Sequence, residues 1–376
     1  MEFTVNYASF ASAVSEINKV ISSKSVIPIL SGIKIEASQS GLKLTGSNSD
    51  IILERTIPVS LDCNNVVEIN EYGSTVVISN YLNEIVKKLP KDICIQSAHN
   101  HSITLKSGDI ETKLKGFNSS EYPTLPEMNG NKCVKVPYGK LTKAIKQTIF
   151  AVSKSDEKPV LTGVKLEFGN NKLTCTATDS RRLACLEIHI DSDITESFIV
   201  PSTCLAELIN LKESDSAIVD IYYTNNFIAF KTVNRTLYSR LIDGIYPNAQ
   251  SLLPKEQKTT VTLETQLLID GIDRACVFST EWKYNNVQLE IVDDVTIKIS
   301  SNSTEVGMIE EFQKSIKFVG ESDFRMSFDG RTILEALKRI PEEHVTISFF
   351  GLMKPIVITP LNNSNCFHLI SSVRTH

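Results

Sequence analysis

The sequence predicts an α+β fold of three tandem copies of one domain, each with two helices on antiparallel sheets. Three observations carry that expectation: a repeat at constant offset, helix-like and strand-like spacings that recur in the same order, and proline-bearing breaks between copies. At 376 residues the chain is too long for one ordinary core. Domains of roughly 100–150 residues make it two or three.

The repeat is read directly from the residues. Ile29–Glu36 (ILSGIKIE) returns as Val160–Glu167 (VLTGVKLE), an offset of 131 that also carries Leu42–Thr45 onto Leu173–Thr176 and Ser47-Asn48 onto Thr178-Asp179. A third copy is fainter: Asn286–Glu290 (NVQLE), then Ser301–Ser303, echoing Ser47–Ser49. The first two copies close alike, Lys115-Gly116-Phe117 leading to Tyr122–Pro126 and Asp243-Gly244-Ile245 leading to Tyr246-Pro247 and then Leu253-Pro254. Proline cannot donate to a ladder and restrains the residue before it, so these stretches mark boundaries. The expected domains are 1–128, 129–253 and 254–376.

Each copy opens on an amphipathic helix. Phe10, Val14, Ile17 and Ile21 fall at helical spacing, as do Leu141, Ile145 and Ile149, and then Leu268, Ile272 and Cys276. Alternating strands follow, such as Val164-Lys165-Leu166 and Val295–Ile299. A second helix comes next, at Tyr81–Leu89, at Cys204–Leu211 after the cap candidate Ser202, and at Arg331–Ile340 after Asp329. Further strands close each copy, Val345–Phe349 among them. Six similar half-units favour a ring with helices inside and sheets outside.

Charge supports that arrangement. The six helical segments, taken as 7–21, 79–89, 139–150, 201–212, 264–278 and 330–340, carry net +4 in a chain of net −5, which leaves −9 elsewhere. A basic helical lining inside an acidic shell suits a ring around a polyanion, whereas a uniformly basic nucleic-acid coat is excluded.

Other classes are set aside. Hydrophobic residues at 41% and charged residues at 22% place the chain among globular proteins. No apolar run approaches the ~18–20 residues of a membrane span. The N-terminus shows no signal-peptide pattern, and the eight cysteines are scattered without a C-x-x-C, so reduced thiols and a cytoplasmic location are expected. No phosphate-loop, dinucleotide, zinc-protease or nucleophile-elbow motif occurs, so neither an enzyme nor a cofactor or metal site is expected. The rival reading, a hydrolase using Asp179, Ser180 and a distant histidine, has no motif context for any of the six histidines.

Ser22–Ser31 (SSKSVIPILS), Pro159–Val164 (PVLTGV), Thr176–Ala184 (TATDSRRLA) and Ser239–Pro247 (SRLIDGIYP) together resemble the bacterial sliding clamps, the beta subunits of DNA polymerase III. The resemblance runs from Met1 to Val373–His376. It implies three clamp domains per protomer and a head-to-tail homodimer, domain 1 of one protomer meeting domain 3 of the other. The ring would encircle duplex DNA without reading sequence and serve replication as a processivity factor. It would tether the DNA polymerase III catalytic subunit, the clamp loader and other clamp-motif proteins. The alternative is a scaffold of the clamp fold with weakened encirclement or a weakened partner pocket.

Residue by residue, the resemblance places DNA contacts at Lys24, in the loop after the first helix, at Lys154 and Lys158 in the equivalent loop of domain 2, and at Lys283 in domain 3. It places a partner-peptide pocket at Leu161, Thr178, Ser180, Arg181, Arg182, Leu183, Pro247, Ser251, Leu252, Pro355, Leu369, Ile370, Ser371, Ser372, Val373 and Arg374. Leucine, isoleucine and valine would wall the pocket while arginine and threonine orient a peptide backbone. Ser371-Ser372 stand where related clamps carry an apolar residue and proline, and Ser251 where arginine is frequent, departures of a divergent or secondary copy. At the dimer edge, His99 and His101 alternate on one strand where related clamps are basic. Glu305, Glu310 and Glu311 face them from domain 3, with Val277 and Phe278 as the apolar part. Histidines facing carboxylates would make the dimer tighter at pH 6 than at pH 8.

Overall fold

The computed structural model describes residues 1–22, 27–61, 64–98, 101–126, 128, 132–279, 286–304, 307–322 and 324–373. Seven helices lie among the described residues: α1 (Tyr7–Val20), α2 (Ser79–Val86), α3 (Tyr138–Lys146), α4 (Ser202–Asn210), α5 (Ala249–Leu252), α6 (Thr265–Val277) and α7 (Gly330–Leu337). Six sit where the apolar spacing put them, and α5 is an addition. No helix among the described residues is long and apolar enough to cross a membrane.

Local chemistry sets the ends. The Asn6 side chain accepts from the Ser9 amide and Asp92 from the Tyr7 amide, so two of the four orphan donors of α1 are satisfied. Asp329 does the same for α7 through the amides of Arg331 and Thr332. Helix α3 stops at Lys146, short of the expected 150: the Thr148 hydroxyl bonds back to the Ala144 carbonyl, and a separate tight turn follows at Ile149–Ala151. The buried stripe of α1 is Phe10, Ala13, Val14, Ile17 and Val20. At Gly46 a β-carbon would lie 2.5 Å from Ile17 Cγ2, so only glycine lets the sheet approach this helix so closely.

Three strand sextets repeat. The first is β1 (Gly32–Ser38), β2 (Gly41–Ser47), β3 (Ile51–Pro58), β4 (Ile93–Ser97), β5 (Ile103–Ser107) and β6 (Ile110–Leu114). The second is β7 (Gly163–Gly169), β8 (Lys172–Thr178), β9 (Arg182–His189), β10 (Ile218–Tyr223), β11 (Phe227–Lys231) and β12 (Arg235–Arg240). The third is β13 (Asn286–Asp293), β14 (Thr296–Ser303), β15 (Gly307–Lys314), β16 (His344–Phe349), β17 (Ile356–Pro360) and β18 (Cys366–Ile370). All described pairings are antiparallel, with apolar residues alternating onto the helix-covered face.

The sextets do not form separate sheets. The first half of sextet one continues into the second half of sextet two through β3 and β12, and with the strands Gly73–Ile78, Gly116–Phe117 and Cys133–Pro137 at the ends makes one nine-stranded sheet. The first half of sextet two continues into the second half of sextet three through β9 and β18, and with Glu196–Pro201, Thr259–Glu264 and Lys317–Gly320 makes another. These seams are equivalent residue for residue: Thr45 pairs with Glu54 and Glu54 with Thr236, while Thr176 pairs with Cys185 and Cys185 with Phe367, each position advanced by 131. Two half-sets are left over. One is a five-stranded sheet ending at β6 and the other a four-stranded sheet ending at β15.

Compact packing follows the sheets and not the sequence repeats. One unit is Met1–Val136 with Ala206–Leu241, the other Pro137–Leu205 with Ile242–His376. The largest fully buried side chains include Phe3, Phe10, Phe168, Phe230, Phe328 and Phe349; each contributes roughly 1.5–3 kcal/mol by leaving water. The described cysteines are all free, and burial pushes the Cys185 and Cys276 thiols up to about 11, which makes them unreactive.

Candidate functional site

The tight turn from β8 to β9 builds one site. Ser180 adopts φ 77, a left-handed conformation held by its neighbours. The Thr178 hydroxyl donates to the Arg182 carbonyl at 2.6 Å and accepts from the Ser180 amide, and the Asp179 carboxylate accepts from the amides of Arg181 and Arg182. Asp179 also takes the Arg182 Nε at 3.0 Å, so its carboxylate caps the turn. The Arg182 guanidinium pairs on its other side with Glu335 of α7 and stacks 5.3 Å from the Phe150 ring centre.

Beside this turn, β9 pairs with β18, setting Arg182 opposite Ile370 and Leu183 opposite Leu369. Leu183, Cys185 and Leu369 form an apolar patch against which Ala249 and Leu253 pack from α5 and the residue following it. Leu161 belongs to a second patch with Ile199 and Tyr246. The Tyr246 hydroxyl joins the two regions, accepting from the Thr178 amide and donating to the Gly163 carbonyl, both at 3.1 Å. Burial pushes that phenol above its ordinary range. Gly244, at φ 136, gives room to Val160, whose Cγ1 would lie 2.5 Å from a β-carbon. Leu252 and Ser251 are exposed on α5, while Pro247 and Pro355 are half-buried.

Past β18 the chain stays docked. The Ser371 amide donates to the Arg181 carbonyl and the Val373 amide to the Ser327 carbonyl, leaving Ser371, Ser372 and Val373 half-buried. They border a cavity of about 1050 Å³ that also takes in Arg181, Arg182 and Ile370. Most of its remaining lining escaped the sequence analysis: Asn286, Gln288, Ser300, Asn302 and Met308 are alternate strand residues that read as a solvent face. Arg374 lies outside the described residues.

His368, in the middle of β18, is 1% exposed, with its ring 5.3 Å from Phe150 and its Nε2 3.8 Å from Cys366 Sγ. Burial pushes the imidazole down from 6.5 to about 4, outweighing a backbone contact with Ala336 that favours the charged form. The folded state keeps its full strength above the unfolded pKa and loses about 3 kcal/mol from this group as pH falls from 6.5 through 4. In urea unfolding between pH 7 and 4.5, His368→Leu should lose less stability than the parent. Parallel losses would clear His368 of that role.

The candidate DNA residues are partly placed. Lys154 and Lys158 are exposed in the loop between α3 and β7, without ion pairs among the described residues, whereas Lys24 and Lys283 lie outside those residues. A second basic feature is clearer: Lys140, Lys143 and Lys146 form an exposed i, i+3, i+6 stripe along α3. Its signal was the +3 charge of that helix.

The edge residues need correction. His101 does not alternate along a strand; it sits in the turn between β4 and β5 at φ 63, and His99 and Glu305 lie outside the described residues. Glu311 is not free to face histidine. Both of its oxygens take the Arg274 guanidinium at 2.8 Å, and that contact holds its carboxyl below the usual range. Glu310 is held by Lys298 at 3.5 Å. Glu310 and Glu311 thus have cation partners within their own chain. Val277 is 63% exposed at the end of α6, with Phe278 half-buried beside it, and Met308 and Phe312 are 69% and 59% exposed along β15.

Comparison with known proteins agrees over the whole length. The family model for the N-terminal domain of the DNA polymerase III beta subunit matches residues 1–126, that for its central domain 135–248 and that for its C-terminal domain 250–374. The chain is 37% identical to the beta sliding clamp of Bacillus subtilis and 35% identical to that of Staphylococcus aureus, covering 100% of both partners in each case. It superposes on the crystal structure of the Bacillus subtilis DNA polymerase sliding clamp with a TM-score of 0.97, and on the beta subunit from Streptococcus pyogenes DNA polymerase with 0.94, at 36% and 32% identity over 100% of each chain.

Proposed function

Because this chain belongs to the DNA polymerase III beta-subunit family of sliding clamps, we propose that it acts as a head-to-tail homodimeric ring around duplex DNA. The family is a processivity factor and not a catalyst. In this role the protein tethers the polymerase and clamp loader to DNA, and the bacterial cytoplasm is where it would do so.

The observation that carries this reading is the pair of unused edges. Each seam within the chain joins the third strand of one sextet to the last strand of the next. By that rule β15 lacks a following sextet and β6 lacks a preceding one. A second copy supplies both, and because the two surfaces differ the contact is head-to-tail, as a two-protomer ring requires. Domain boundaries at 128/129 and 253/254 fit this scheme, since the proline-bearing segments there connect one sextet to the next.

Sliding needs contacts that hold phosphate without reading bases. Exposed lysines on a rigid helix do this, because each phosphate neutralised is exchanged for a screened neighbour at little cost. We assign that role to the α3 stripe together with Lys154 and Lys158. The turn at Thr178–Arg182, with Leu183, Leu369 and Val373, is assigned to peptide capture: Arg182 is too committed to move, so the pocket wall is preorganised.

The test is topological. The protein, loaded on nicked circular DNA, should stay bound at salt that abolishes binding to a short linear duplex, and should be released when the circle is cut. Equal salt sensitivity on both substrates would count against encirclement and favour a clamp-fold scaffold.

A further inference from the structure

We propose that α6 holds duplex DNA off its surface: Asp270 and Asp273 stand where α3 presents lysines, and their repulsion sets the duplex against α3. This deepens the DNA-lining assignment above and rests on it. Both helices belong to the compact unit Pro137–Leu205 with Ile242–His376. Each directly follows the opening strand of its repeat, Cys133–Pro137 before Tyr138 and Thr259–Glu264 before Thr265, so the two are equivalent at an offset of 127. The buried residues obey that offset, Leu141 with Leu268, Ala144 with Gly271 and Ile145 with Ile272. A helix fixed by its buried face has its exposed face fixed as well. Lys140, Lys143 and Lys146 therefore correspond to Leu267, Asp270 and Asp273. In α1 the same places, at the offset of 131, are the uncharged Ser9, Ser12 and Ser15.

The two aspartates keep their charge. Asp270 accepts from the Gln266 side-chain amide at 2.7 Å, a neutral donor, and neither carboxylate has an ion pair among the described residues. Arg274, the one cation of α6, has its guanidinium taken by both oxygens of Glu311. Leu267, 50% exposed, offers a phosphate nothing. Exposed charges act over a Debye length, ~8 Å at physiological salt, so a duplex near these helices is drawn by three lysines on one and repelled by two aspartates on the other. The exposed cations that follow α7, Lys338 and Arg339, limit the repulsion to α6 itself. Each phosphate contact releases counterions and tightens the grip. A ring retained by closure gains nothing from extra grip, and aspartates on α6 withhold the contacts that a second lysine stripe would make.

Binding of a short fluorescein-labelled linear duplex to the full-length protein is measured across a salt series for the parent and four double variants. Asp270→Asn with Asp273→Asn should tighten binding about threefold at low salt. Asp270→Lys with Asp273→Lys should tighten it about tenfold and steepen the log–log salt slope by about 1–2, the result of one or two new phosphate contacts. Glu167 and Glu187 flank Thr174 in the ladder, on the sheet face opposite the buried Leu166, Cys175 and Leu186. Glu167→Gln with Glu187→Gln makes the same charge change as the asparagine pair and should leave binding within about 1.5-fold of the parent. An equal gain from that control, or no gain from either α6 variant, overturns the proposal. Lys143→Gln with Lys146→Gln tests the assignment beneath it and should weaken binding about tenfold. Unchanged binding there would show that α3 is not a DNA surface, and the proposal falls with it; weakening there without a gain at α6 overturns the proposal alone.

Discussion

A protein carrying Glu111→Cys and Glu310→Cys should oxidise to a covalently closed dimer that remains on nicked circular DNA even in denaturant. The pairing comes from the internal seams. At the second seam Ala184 faces His368. Ile309 occupies the place of Ala184, because Ser301 pairs with Ile309 as Ala177 pairs with Ala184. Thr112 occupies the place of His368: the ladder Phe3, Ile95, Leu105, Thr112 parallels Val261, Ile347, Ile358, His368. Ile309 of one copy therefore faces Thr112 of the other, and the next antiparallel pair is Glu310 with Glu111. Each carboxylate brings its own cation, Lys298 at 3.5 Å for Glu310, and Lys106 and Lys113 at 3.5 and 3.8 Å for Glu111, so the two do not meet as bare like charges.

Directly opposed residues have Cα atoms roughly 4.5–5.5 Å apart, inside the ~4.4–6.8 Å that a disulfide spans. Glu111→Cys with Phe312→Cys is displaced by two residues, to about 7–8 Å, and should stay largely uncrosslinked. A non-reducing gel with the unsubstituted parent as background reads both outcomes. Crosslinking of the displaced pair in preference to the first would show that the seam between copies does not follow the internal register.

Much of this architecture is legible in the sequence, for a physical reason. Helix stripes such as Phe10, Val14 and Ile17 and the offset of 131 are local patterns, imposed by the 3.6 period and by repetition, and the structure keeps both. The seams are not local. Glu54 meets Thr236 across more than 180 residues, and any two half-buried strands with the same alternation could pair as well on paper. The turn at Thr178–Arg182 was legible because a motif marks it. The cavity beside it was not, because Gln288, Ser300 and Asn302 look like solvent-facing strand residues. His101 failed for another reason: its left-handed φ ends the alternation on which its strand assignment depended.

Glu16→Gln should lower the stability of the first seam by about 3 kcal/mol, more than a surface ion pair could cost. Arg55 of β3 and Arg235 of β12 stand directly opposite each other, a like-charge pair that by itself disfavours the register. Glu16 of α1 resolves the conflict, pairing with the Arg235 Nε through one oxygen and lying 3.8 Å from the Arg55 Nε through the other. Glu213 takes the far side of Arg235 at 2.6 Å and also accepts from the Thr232 hydroxyl. All four side chains are under 20% exposed. Burial first, and then the Arg235 charge, pull the Arg55 guanidinium below its usual range, so this group has the least spare stabilisation. Without the Glu16 charge, two guanidiniums remain opposed with only Glu213, on the far side of Arg235, to offset them, whereas Glu16→Gln combined with Arg55→Met removes charge of both signs and should recover most of the loss. The first thermal transition of the three proteins is the measurement, since a chain with two compact units need not unfold in one step. If Glu16→Gln melts with the parent, the seam is held by its strand pairing alone. If the double variant falls further than the single one, Arg55 stabilises the seam through packing and not through charge.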